Sequence, residues 1–331
     1  MDAAGRVVIA GASGFVGSAL VRAFRTDGYE VVTIGRGGPV SWGHPEKIAE
    51  AVDGADVLVN LAGRSVNCRY TDRNRNEILR SRVETTRALH DAVLRARHPP
   101  RVWMNASTAT IYRHAMDRAN TEATGELGTG FSVDVARAWE GAFFAGEMPG
   151  TRRVALRMAI VLGEGPATRL LATLARTGLG GPHLDGWGPT HARYRGIGEA
   201  PTGDGCPPHH DTRGRQRFSW IHIDDVVSAV RFIRDHDDIS GVVNLASPHP
   251  SDDATLMATL RRIVGVPIGL PARRWMLESA MWALRTEPEL VLKSRWVLPG
   301  VLADQGFVFR HPDLEDALRD ALGAGASRPG R

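Results

Sequence analysis

The chain begins with a β-branched apolar run, Arg6-Val7-Val8-Ile9-Ala10, that passes without a break into Gly11-Ala12-Ser13-Gly14-Phe15-Val16-Gly17. From Ser18 to Asp27 the apolar positions Ala19, Leu20, Ala23 and Phe24 fall on one helical face. Strand, glycine turn and helix follow in that order. Apolar runs then alternate with helical patterns: strands over 30–34, 56–63, 101–106 and 153–158, and helices over 46–52, 71–97 and 130–146. This alternation predicts an α/β fold with a Rossmann-type, doubly wound parallel sheet. After Gly163 the pattern loosens. A helix is expected over 166–177, a strand over 217–222, a helix over 224–234 and a strand over 242–245. The remainder reads as mainly helical, over 251–264, 273–284, 289–296 and 313–322. The expected organisation is a Rossmann domain over 1–165, to which 220–245 returns, and a smaller, mainly helical C-terminal lobe. That lobe takes 166–219 and 246–322, and 323–331 form a disordered tail.

The glycine turn carries the first chemistry. Gly11 permits the tight turn, Gly14 lets the backbone approach a pyrophosphate, and Gly17 lets the helix pack close to its strand. The helix N-terminus offers free N–H groups and the positive end of its dipole to the anion. Ser13, Phe15 and Val16 complete the cradle, and the small-residue turn Leu61-Ala62-Gly63 after the third strand is expected beside the same cofactor. At the tip of the second strand an acid would bind a ribose 2′-hydroxyl, whereas an arginine suits a 2′-phosphate. No acid follows Ile34, and Arg36 does. This points to NADP over NAD, the alternative being that Arg36 is a solvated loop residue.

Composition narrows the class. At 331 residues there is ample length for a buried core. The longest apolar stretches are strand-length or broken by charge, so no membrane span is expected. The N-terminal residues lack the features of a signal peptide, and the two cysteines, Cys68 and Cys206, form no disulfide framework. A cytoplasmic location follows as the expectation. Net charge is +4, and no basic run is interleaved with aromatics, which argues against nucleic acid. The expected partners are a small-molecule substrate and, at most, a second copy of the chain in a homodimer. Lysine occurs only at Lys47 and Lys293.

Several blocks together resemble the extended short-chain dehydrogenase/reductase superfamily, and within it the epimerase-like group that includes YfcH-type and SulA-like proteins. They are the glycine turn, Val59-Asn60-Leu61-Ala62-Gly63, Ser81-Arg82-Val83-Glu84-Thr85-Thr86, Trp139-Glu140, Leu156-Arg157, Gly178-Leu179-Gly180-Gly181 and Ser219-Trp220-Ile221-His222-Ile223-Asp224-Asp225. The tail Leu292-Lys293-Ser294-Arg295-Trp296-Val297-Leu298-Pro299, with Gly306-Phe307 and Pro312-Asp313-Leu314, is similar to the group's small C-terminal domain of unknown function. The resemblance covers Arg6 to Leu322. It implies a nicotinamide cofactor and a substrate pocket between the sheet and the smaller lobe.

The resemblance also implies a Tyr-x-x-x-Lys pair, in which the lysine lowers the tyrosine pKa so that the phenolate can move a proton. This chain lacks it. No lysine lies four residues after Tyr29, Tyr70, Tyr112 or Tyr194. Counted back from Glu140, the two positions hold Ser132 and Ala136. Ser107 and Thr108 match hydroxyls at the end of the fourth strand, and Tyr112 matches the tyrosine that closes that motif. These three are the candidate catalytic residues, with Tyr112 either an acid/base or a structural tyrosine. His114, Asp117, Arg118, Thr121 and Glu122 either border the substrate or lie on the surface. Asp134 could act only with a raised pKa. Cys68 either touches substrate or is simply buried.

The stretch 180–215 is rich in glycine, proline and histidine and has no apolar period, so 181–215 is expected to form a lid over the pocket mouth. Within it Cys206-Pro207-Pro208-His209-His210-Asp211 holds metal-ligand types but fits a plain loop, and no residue is assigned to a metal. His222 is read as a strand residue, Asp224 as a helix N-cap, and Arg157 as buried and paired. Two functions remain open: an NADP(H)-dependent oxidoreductase or epimerase-like enzyme, and an NADP(H)-binding regulatory or scaffold protein without turnover.

Overall fold

The computed structural model describes residues 4–186, 194–203, 210–277 and 292–323. Six parallel strands form the central sheet: β1 (Arg6–Ala10), β2 (Glu30–Ile34), β3 (Val57–Asn60), β4 (Val102–Thr108), β5 (Arg152–Met158) and β10 (Gly241–Leu245). Their order is β10-β5-β4-β3-β1-β2. The β1, β3 and β4 strands read as near-continuous apolar runs because both sheet faces are covered. On one face Leu20 and Phe24 of α1 (Phe15–Thr26) meet Val226 and Val230 of α6 (Ile223–Asp235). On the other, α2 (Pro45–Val52), α3 (Asp72–Arg95) and α4 (Phe131–Phe143) cover the sheet, with Ile48, Leu89 and Phe143 in the core beside Trp103 of β4.

Because β1 lies between β2 and β3, the chain direction of the crossovers reverses at β1 and β3. A crevice opens there, beyond the carboxyl ends of the strands, where ligands of such sheets bind. Its floor is fixed by buried amides. Asn60 donates to Asn105 Oδ1 (2.7 Å) and Thr86 Oγ1 (3.1 Å) and accepts from the Ala62 N–H (3.0 Å), which sets the turn after β3.

A separate apolar cluster joins α5 (Pro166–Arg176), α7 (Asp253–Val264) and the helix Leu314–Ala321, and short strand pairs lie beside it, among them β7 (His183–Leu184) with β12 (Ala272–Arg273). The expected strand over 217–222 divides at Ser219 into β8 (Arg217–Phe218), antiparallel to β11 (Ser251–Asp252), and β9 (Trp220–His222), parallel to β6 (Ile160–Leu162). Of two further helical expectations, one is helical where it is described, at 274–277, and the other fails at its end. Most of 273–284 lies outside the described residues. Residues 293–296, expected to end a helix, are not helical. The Ser294, Arg295 and Val297 N–H groups donate to His114 Nδ1, Arg217 O and Ser219 Oγ, so their hydrogen bonds go to neighbouring segments and not up a helix. This strap also sends the Trp296 carbonyl to the Asn120 N–H (2.7 Å).

Candidate functional site

The glycine turn is shaped by contacts that admit no side chain at two of its three glycines. Gly11 has φ +78°, and a Cβ there would lie 2.6 Å from the Leu61 carbonyl. A Cβ on Gly17 would lie 2.4 Å from the Gly11 oxygen, so helix and turn touch backbone to backbone. Gly14 differs: a Cβ would meet only the Gly11 oxygen, at 3.4 Å, and otherwise faces open space. Gly14 is also the N-cap of α1, and no side chain caps that helix end. The turn thus leaves helix N–H groups exposed toward a cavity of about 710 Å³. Gly11, Gly14, Phe15, Val16, Gly17 and Leu61 line it. Ser13 is exposed at the rim of the turn, Ala62 is buried behind Leu61, and Gly63 packs on the Arg82 guanidinium. Arg36 is exposed at the tip of β2, with no hydrogen bond or ion pair among the described residues.

Ser107 and Thr108 reach the same cavity from the end of β4. Ser107 Oγ donates to Glu140 Oε1 at 2.5 Å, and Thr108 Oγ1 caps the following turn by accepting from the Thr110 N–H. Tyr112 does not line the cavity. Its hydroxyl donates to Asn244 Oδ1 (2.9 Å) and accepts from Arg157 Nη1 (2.9 Å), and the ring is 2% exposed. Burial raises its pKa above the ordinary tyrosine value, against the pull of Arg157. Arg157 itself grips Glu140 through Nε (2.8 Å) and Nη2 (2.7 Å). Of the three candidate catalytic residues, the structure brings two to the cavity and holds the third in a buried network behind it.

At the positions of the absent pair, Ser132 lines the cavity, whereas Ala136 is fully buried in the apolar cluster that contains Tyr112. The lysine position is therefore filled core. The charged groups that do reach the cavity come from elsewhere, and one is an acid, Asp253 of α7, which His183 holds at 2.7 Å. Arg82 of α3 lies over the Trp139 ring, and burial pulls its pKa down to about 10. Arg217, Lys293 and Arg295 converge from β8 and the strap. Lys293 Nζ donates to the Thr110 carbonyl (2.8 Å), Arg295 Nε donates to Thr110 Oγ1 (3.1 Å), and Arg217 stacks on Trp296 (4.3 Å). Ala167, Leu170 and Leu171 of α5 and Leu256 of α7 also line the cavity. The sequence reading missed Arg82, Arg217, Lys293 and Arg295. The rarity of lysine was the one available signal for Lys293.

The remaining candidates take structural places. Asp134 accepts from the Tyr194 hydroxyl, the Thr202 N–H (2.7 Å) and Thr202 Oγ1 (2.5 Å), so it anchors loop 194–203 to α4. Tyr194 packs in turn with Tyr70, Ile78 and Phe131, which line the cavity. Glu122 is no surface residue: Oε1 accepts from the Asn244 N–H (2.7 Å), and burial raises its pKa. His114 stacks on His210 with ring centroids 3.5 Å apart, and burial with the neighbouring cations lowers its pKa to about 4. Asp117 pairs with Arg113, Arg118 with Glu126, and Thr121 with Thr124, all outside the cavity. Cys68 is half-buried against the Tyr70 cluster. Residues 187–193 and 204–209, including Cys206, lie outside the described residues. The N-cap of α6 is His222, not Asp224: His222 Nδ1 accepts from the Asp224 N–H.

Residues 7–246 match the NAD dependent epimerase/dehydratase family. The chain belongs to this family. Residues 274–321 match a domain of unknown function, DUF1731. Among curated relatives, the mouse epimerase family protein SDR39U1 is 27% identical over 327 residues, covering 96% of this chain and 99% of the relative. YfhF, an epimerase family protein of Bacillus subtilis, is 27% identical over 329 residues, covering 96% and 97%. Among solved structures, human SDR39U1 with NADPH superposes with a TM-score of 0.79 at 25% identity, covering 96% of this chain and 99% of that one. A UDP-glucose 4-epimerase from Thermotoga maritima shares the fold, with a TM-score of 0.68 at 15% identity, covering 96% and 97%. Among the described residues no helix is long and apolar enough to cross a membrane.

Proposed function

We propose that this chain is an NADP(H)-dependent oxidoreductase or epimerase-like enzyme that acts on a small, negatively charged substrate in the cytoplasm. The observation that carries the reading is a single cavity bounded by the uncapped α1 N-terminus, by Ser107, Thr108 and Ser132, and by Arg217, Lys293 and Arg295. The cofactor pyrophosphate rests against Gly11 to Gly17, with Ser13, Leu61, Ala62 and Gly63 flanking the dinucleotide. Arg36 takes the 2′-phosphate, in keeping with the NADPH bound by human SDR39U1. Bound there, the nicotinamide supplies hydride chemistry. Residues 1–165 with 220–245 hold the cofactor, and 166–219 with 246–322 hold the substrate, its anionic group at the basic end and its apolar body against α5 and α7.

Without a Tyr-Lys pair, proton movement falls to hydroxyls in the cavity. Ser107 is the strongest of these, because its Oγ is already coupled to the Glu140 carboxylate at 2.5 Å. The filled lysine position at Ala136 favours a second reading, an NADP(H)-binding protein without turnover.

Nicotinamide fluorescence during titration with NADPH and NADH tests the cofactor assignment. NADPH is expected to bind more tightly, and Arg36→Ser is expected to cost roughly tenfold or more for NADPH alone, the scale of one charge-assisted contact. Equal affinity for the two cofactors would remove the role of Arg36. A panel of carbonyl and sugar-nucleotide substrates, followed by NADPH oxidation, then tests turnover. Silence across the panel with binding intact supports the second reading.

A further inference from the structure

We propose that His222, Asp224, His311 and Asp320 form a divalent-metal site of the zinc type, which fastens the Rossmann core to the C-terminal lobe. One ligand atom from each residue lies within 4.8 Å of all the others. His222 and Asp224 come from the β9–α6 junction. His311 comes from the segment before the helix Leu314–Ala321, and Asp320 from that helix itself.

Two of the donor pairs have the spacing of tetrahedral coordination, and every pair lies within 4.8 Å. Metal–ligand bonds of about 2.0–2.2 Å place neighbouring donors about 3.3–3.6 Å apart. His222 Nε2 and Asp320 Oδ2 are 3.2 Å apart, and His311 Nε2 and Asp224 Oδ2 are 3.6 Å apart. Two imidazoles and two carboxylates are a donor set that suits zinc.

His222 supplies an independent observation. Its side chain is 1% exposed, yet Nε2 has no hydrogen-bond partner. Asp320 Oδ2 is near enough in distance but lies off the ring N–H direction. Around a shared ion a second ligand sits off that axis in the same way, because the axis points to the metal. A buried ring nitrogen left without a hydrogen-bond partner beside a carboxylate is otherwise costly.

The site is also held in shape. Asp225, fully buried, accepts the Arg310 N–H (2.6 Å) on one carboxylate oxygen and the His311 N–H (3.0 Å) on the other, fixing the backbone that carries His311. The His222 and His311 rings lie side by side, with centroids 4.0 Å apart. Arg310 reaches Asp224 only at 3.9 Å. In the metal-free ring, Nδ1 accepts the Asp224 N–H at 3.3 Å, so the proton sits on Nε2. Loading moves that proton to Nδ1 and gives up this one long bond.

The test uses the full chain, stripped with a chelator, exposed to Zn²⁺ or Co²⁺ and desalted. One ion per chain by elemental analysis is expected, with the visible bands of tetrahedral cobalt. His311→Gln and Asp320→Asn are each expected to weaken binding at least tenfold, and the double variant to abolish it. Unchanged NADPH binding would show that these variants are folded. Zinc is expected to raise the melting temperature of the unsubstituted chain and not that of the double variant. No retained ion, or an ion retained equally by the double variant, overturns the site.

Discussion

Arg157 meets both oxygens of Glu140, at 2.8 and 2.7 Å, with the two side chains only 10% and 12% exposed. Through this pair the site and the core share one carboxylate: Glu140 also accepts from Ser107, and Arg157 also donates to Tyr112. Removing one partner strands a buried charge. Glu140→Ala is therefore expected to destabilise the chain by about 3–5 kcal/mol in urea unfolding. Glu140→Leu with Arg157→Met is expected to recover most of that loss. A single variant as stable as the parent would show that the pair contributes nothing.

The glycines of the first turn should separate folding from binding. Gly17→Ala drives a methyl against the Gly11 carbonyl and is expected to cost about 1–3 kcal/mol or more in stability. Gly14→Ala meets no close atom of the protein and should melt at the parent temperature. Its methyl points where a pyrophosphate would lie, so NADPH binding should fall sharply. Equal NADPH affinity in Gly14→Ala would move the cofactor off this turn.

His114 gives the stability a pH slope of known sign. Its folded pKa, about 4, lies below the ordinary histidine value. Between roughly pH 6.5 and 4 the unfolded chain binds a proton that the folded chain refuses. The contribution is whole above pH 6.5 and is lost as pH falls toward 4, on the order of 2 kcal/mol. His114→Gln is expected to flatten that part of the curve, read as the difference between the two unfolding profiles. Parallel profiles would refute the assignment.

Asp134 is the acceptor for three donors of loop 194–203. Asp134→Ala leaves the Tyr194 hydroxyl and the Thr202 N–H unpaired, at about 1–3 kcal/mol per buried group. Hydrogen exchange over 194–203 is expected to speed up while the central sheet stays protected. If loop 181–215 acts as a lid, bound cofactor or substrate will slow its exchange in the parent chain. Unchanged exchange with every ligand would end the lid reading.

The central sheet and the glycine turn were legible because their signals are local. A β-branched run followed by Gly11, Gly14 and Gly17 carries its own geometry within a dozen residues. Arg157 was legible too, since a buried arginine in a strand needs a partner. Tyr112 was not, because its fate depends on Asn244, 132 positions away. The helix expected at 289–296 fails in its last residues for a related reason. The spacing of Leu292, Trp296 and Val297 suits a helix, but tertiary partners take the backbone N–H groups. Likewise His222 and Asp224 gave no metal signal in sequence, since His311 and Asp320 lie some ninety residues downstream.

The strap at 293–297 also sets an order on how the chain can fold as it is made. Ser219 donates to the Arg295 carbonyl and accepts from the Val297 N–H, and Val297 is fully buried with Tyr112, Ala136 and Ala159. Residues 6–158 leave the ribosome well before 293–297, yet they need that strap to complete the cluster around Tyr112. A nascent chain halted at residue 290 should therefore hold its sheet but leave 109–136 open to protease, and release of the last forty residues should close it. Vectorial synthesis meets here a fold whose 109–136 region finishes only when 293–297 packs against it.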